Sequence, residues 1–90
     1  MKDLQTCRQE IDEIDAKLTD LFTQRMKIAE EVAAYKQAKG LPVLDSKREK
    51  EKLDKIAKNA EDERSGRELC ELFSKIMELS RNRQAEILKK

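Results

Sequence analysis

Leu4, Cys7, Ile11, Ile14, Leu18, Leu21, Arg25, Ile28, Val32 and Tyr35 follow one another at alternating intervals of three and four. That is a heptad seam, and it predicts one long helix from about Asp3 to Lys39. At 1.5 Å per residue such a helix is roughly 55 Å long. The rest of the chain is too short to cover it, so a partner chain is the expected cover. One position breaks the seam's chemistry: Arg25 stands where an apolar residue is called for.

The stretch "KGLPVLD" ends this helix, because Gly40 suits a C-terminal cap and Pro42 cannot continue the hydrogen-bond ladder. Asp45 or Ser46 then caps a second helix, and Ser46 with Glu49 has capping-box spacing. Its apolar side is Leu53, Ile56 and Ala60, and extending that side back one turn reaches Glu49. "NAEDERSG" is a polar break in which Ser65 and Glu68 repeat the capping-box spacing. A third helix should follow to about Leu88, with Leu69, Leu72, Phe73, Ile76, Leu79 and Ile87 inward and Ser80 and Gln84 on the same face. The pattern predicts an all-α fold of three helices, in a single domain over residues 1–90, without an internal repeat.

Composition sharpens this picture. Of the 90 residues 43% are charged, yet the net charge is only +1. Acid and base are interleaved, which argues against a nucleic-acid partner or an anionic membrane surface. The run "KREKEKLDK" reads as a solvated helix face for the same reason. There is no Trp, and Tyr35, Phe22 and Phe73 are the only aromatics. A core built from one copy would be thin, which again points to burial between subunits. No apolar run has the length of a membrane span, and the N-terminus lacks a signal-peptide core, so a cytoplasmic location is expected. Cys7 and Cys70 lack CxxC spacing and are expected to be free, buried thiols. The absence of His removes the commonest general base and the commonest metal ligand, and neither a metal nor another cofactor is expected.

The polar residues on apolar faces are the candidate chemistry. A lone Arg25 could simply fix register or extend its head to water. Lys36 lies three turns on, about 16 Å away along the axis, and alone it reads as a solvated flank. Arg8 is about 25 Å from Arg25, so one straight helix cannot bring both to one small ligand, whereas an antiparallel partner could. Asp45, Arg48 and Glu49 surround a helix N-terminus; capping accounts for the acids but not for Arg48. Ser80 could bond back to its own helix, and a buried Gln84 without partners would cost about 1–3 kcal/mol. Taken together, all three helices carry polar groups on faces that otherwise look buried. Several cations, one carboxylate and one amide suit a small polyanion bearing a hydroxyl.

The segments "CRQEIDEIDAKL", "LFTQRMKIAEEVAAYK", "PVLDSKREKEKL" and "LFSKIMELSRNRQ", in this order and spacing, resemble the all-helical chorismate mutases over essentially the whole chain. The resemblance implies an intertwined homodimer of three-helix chains with the long first helices antiparallel. It also implies the rearrangement of chorismate to prephenate, on the route to phenylalanine and tyrosine. By the same resemblance Arg25 binds a substrate carboxylate within its own chain, and Arg8 is contributed to the partner's site. Lys36 reaches the ether oxygen and a carboxylate, and Gln84 donates to the ether oxygen from the other side. Glu49 accepts from the ring hydroxyl, helped by backbone at Asp45, while Ser80 and Arg48 match further pocket positions. Leu44 departs from the pattern, since some relatives carry a basic residue there. Two other readings stand beside this one: an isochorismate-pyruvate lyase on the same fold, and a non-enzymatic helical dimer or adaptor.

Overall fold

The computed structural model describes residues 1–88 and contains three helices: α1 (Leu4–Lys39), α2 (Ser46–Asn59) and α3 (Glu63–Leu88). Among the described residues there is no strand, and no helix is long and apolar enough to cross a membrane. α3 is the central element and packs against both α1 and α2. The molecule measures 55 × 27 × 14 Å. Its long dimension is the length expected for α1, and its thickness is little more than one helix. The described residues therefore form a single layer of helices, with no second layer among them to cover its faces.

The helix ends follow from local chemistry. Asp3 caps α1, its carboxylate accepting from the Thr6 N–H at 2.8 Å. At the other end Gly40 turns left-handed at φ 67°. Its N–H donates to the Gln37 carbonyl and the Leu41 N–H to the Lys36 carbonyl, a paired closure that glycine permits. Asp45 caps α2 by accepting from the Arg48 N–H. Ser46 is thus the first helical residue, and Glu49 is freed from the expected capping box. The third cap differs as well. Asp62, not Ser65, starts α3, and its carboxylate accepts from the Ser65 N–H at 2.7 Å. That backbone hydrogen bond holds the Asp62 carboxyl below the usual carboxylate range. Two possible caps lie three residues apart here, and the carboxylate is the stronger acceptor.

The buried side of α1 is not the seam. Met26, Ala29 and Ala33 are buried, with Met77 of α3. These alanines have small side chains that do little to hold the two helices apart. The seam is rotated away from them and stays uncovered: Leu18 is 55% and Leu21 59% exposed. α3 shows the same division. Met77, Ser80 and Gln84 are buried, whereas Leu72 and Leu79, expected inward, are exposed. Cys7 and Cys70 are free and half-buried, less enclosed than expected.

Candidate ligand-binding cleft

A cleft of about 390 Å³ opens between the C-terminal half of α1, the linker to α2, the start of α2 and the C-terminal half of α3. Its apolar wall comes from Ile28, Ala29, Val32, Val43, Phe73 and Met77. Its charged lining is Arg25, Lys36, Arg48, Lys52 and Arg81 against two carboxylates, Asp45 and Glu49, with Ser80 and Gln84 as neutral polar groups. Five cations facing two carboxylates, beside an apolar wall that lowers the local dielectric, favour an anionic ligand.

Lys36 is the most constrained of these cations. The linker turns back around it, so that its Nζ donates to the Val43 carbonyl at 2.6 Å and to Gln84 Oε1 at 3.2 Å. An ammonium has three donors and no acceptor, so one N–H remains for a ligand. The same fact fixes the Gln84 amide. Facing a group that can only donate, Gln84 must present its oxygen, which turns its NH2 away. One amide hydrogen goes to Ser80 Oγ at 3.1 Å, and the second is available. Ser80 and Gln84 are one helical turn apart on α3 and both buried. The expected cost of burying an unpartnered Gln84 is avoided, since no buried side-chain polar atom among the described residues lacks a partner.

Glu49 lies across the cleft in the first turn of α2 and pairs with Arg81 of α3. Arg25 is half-buried at the seam's edge and makes no ion pair among the described residues. Asp45 lines the cleft while its side chain caps α2.

Of the eight candidates from the sequence, the fold therefore gathers seven into one cleft: Arg25, Lys36, Asp45, Arg48, Glu49, Ser80 and Gln84. Arg8 is exposed near the other end of α1 and is not part of the lining. Arg81 and Lys52 join the site unannounced. Both read as ordinary surface cations in charge-rich helices. The available signal was spacing: Arg81 adjoins Ser80 and precedes Gln84 by three, and Lys52 follows Glu49 by three, so each shares a face with a candidate.

Comparison with known proteins gives a concordant result. The family model described as chorismate mutase type II matches residues 7–85, an interval containing all eight candidates. A chorismate mutase of Methanocaldococcus jannaschii is 43% identical over 51 residues, which is 57% of this chain and 52% of that protein. The aligned part thus spans about half the length of the curated relative.

Proposed function

The chain belongs to the chorismate mutase type II family, and on that premise we propose that it is an isomerase that rearranges chorismate to prephenate as a homodimer. The observation that carries this reading is the hydrogen-bonded pair of Lys36 and Gln84 in a cation-rich cleft, each with a donor to spare.

The reaction is a unimolecular pericyclic shift: one C–O bond breaks as one C–C bond forms. It requires no nucleophile, redox cofactor or metal, which suits a chain without His. What it requires is restriction of a flexible enolpyruvyl side chain into a compact conformer over the ring. Arg25 and Arg8 of the partner subunit clamp the two carboxylates. Negative charge grows on the ether oxygen as the C–O bond stretches. Lys36 and Gln84 meet that charge with donors already oriented, so little reorganisation is needed at the barrier. Glu49 accepts from the ring hydroxyl, assisted by the backbone at Asp45, and Arg48 and Ser80 complete the enclosure.

The second subunit is supported by the uncovered seam, by the single-layer thickness and by the position of Arg8 outside its own chain's cleft. We place the protein in the cytoplasm and read residues 1–90 as one functional domain.

The test is incubation of the purified protein with chorismate and, separately, with isochorismate. Prephenate has the mass of chorismate, so products are separated by chromatography before mass spectrometry. Prephenate from chorismate is the expected result. Pyruvate with salicylate from isochorismate alone would transfer the same cleft to a lyase. No turnover of either by a folded dimer would leave a non-enzymatic helical dimer as the better reading.

A further inference from the structure

Glu49 needs an explanation that its own helix does not provide. It sits in the first turn of α2, where the cap is already supplied by Asp45, and no neighbour along α2 holds its carboxylate. Among the described residues its one partner is Arg81, which reaches across from α3 to Glu49 Oε1. Both side chains are sheltered, at 31% exposure for Arg81 and 23% for Glu49. Salt therefore screens this pair less than a pair on the open surface.

Arg81 also has telling neighbours. Ser80 and Gln84 orient the Lys36 side of the cleft, and Arg81, on the same turn of α3, reaches the opposite side. One turn of one helix thus holds polar groups on both walls.

We propose that Arg81 is a positioning residue for recognition of the substrate hydroxyl. By pairing with one oxygen of Glu49 it fixes that carboxylate in the cleft and leaves the second oxygen to accept the hydroxyl hydrogen bond. The inference deepens the function proposed above and rests on it. A glutamate side chain has several freely rotating bonds, and a ligand that had to order it would bind more weakly. Arg81 does the ordering before the ligand arrives. Its planar fork suits a carboxylate, and its long stem spans the gap between α3 and α2.

The hydroxyl is present in both ground state and transition state, so losing its partner's alignment weakens both alike. Arg81→Met should raise the KM for chorismate about tenfold while kcat changes less than about twofold. Arg81→Lys, which keeps the charge, should restore most of the loss. A chorismate analogue lacking the ring hydroxyl should not distinguish Arg81→Met from wild type. In a Glu49→Gln background, Arg81→Met should add little. If instead Arg81 grips a substrate carboxylate, the loss persists with the analogue and adds fully to Glu49→Gln, which overturns the proposal.

A readout independent of turnover separates this claim from the mutase assignment. Side-chain NMR of Glu49 in the free protein should show one dominant rotamer in wild type and averaging in Arg81→Met. Equal averaging in both overturns the positioning role. A single rotamer in wild type together with no conversion of chorismate would keep the alignment and remove the proposed substrate.

Discussion

The two halves of α1 share one seam and have different fates. From Leu4 to Leu21 no residue is buried, and Leu4, Ile11, Ile14, Leu18 and Leu21 all face outward. From Arg25 to Lys36 the neighbouring face is buried against α3 through Met26, Ala29 and Ala33, and both end residues line the cleft. Periodicity is the same in both halves; only the presence of a neighbour differs. An apolar stripe therefore says that burial is needed, and not whether the chain itself supplies it. The half with its own packing also carries the two α1 residues that line the cleft, Arg25 and Lys36, while Arg8 lies in the uncovered half. A cleft must be rigid to be selective, and rigidity comes from close-packed contacts.

The comparison can be broken at the uncovered half first. Ile14→Asp would place an unpaired carboxylate in the proposed subunit interface, at a cost of about 3–5 kcal/mol. Sedimentation should then report a smaller species than wild type gives at the same concentration. Unchanged association would move the interface off the seam. At the covered half, Gln84→Ala should lower kcat by about a hundredfold or more, some 3 kcal/mol of barrier, with a far smaller effect on KM. An unaltered kcat would take Gln84 out of the reaction. Ala33→Leu tests the packing beneath. Ala33 is fully enclosed, at 0% exposure, and added carbons there should destabilise the fold by about 1–3 kcal/mol, seen as a lower Tm. The same change at exposed Ala34 should do much less. The smallest effect is expected at Gly66, where α3 passes the end of α2. An added Cβ would meet Ala60 Cβ at 3.5 Å and the Ala57 carbonyl at 3.6 Å, ordinary contact distances. Gly66→Ala should raise stability by about 0.5–1 kcal/mol through helix propensity alone. A fall in Tm would show that the two helices approach more tightly than these distances.

The long N-terminal helix, its end at Gly40 and the second helix start were all legible in the sequence, because each depends on neighbours a few residues away. The Met26–Ala29–Ala33 face was not. Large apolar side chains dominate the pattern, and two of these three buried residues are alanines. Ser65 and Glu68 have capping-box spacing, yet Asp62, three residues earlier, is the cap: it accepts from the Ser65 N–H, and Ser65 is thereby the third residue of the helix. The inward assignment of Leu72 and Leu79 fails because, like the seam residues of α1, they are exposed among the described residues. Lys36, Ser80 and Gln84 could be singled out as polar intrusions on apolar faces. That Lys36 meets Gln84 across 48 positions could not, since it depends on how α3 lies beside α1. Arg81 escaped because a cation among cations carries no contrast.

The turn around Lys36 has a consequence for how this chain can vary. Its backbone carbonyl receives the Leu41 N–H and its ammonium reaches the Val43 carbonyl, so the connection closes a ring that begins and ends on one residue. The acceptor at Val43 belongs to the main chain, and replacing that side chain leaves it in place. Surface connections ordinarily absorb added or missing residues with ease. This one is free in its spelling and fixed in its count: one residue more or fewer between Gly40 and Val43 moves the carbonyl and, with it, the charge it steadies.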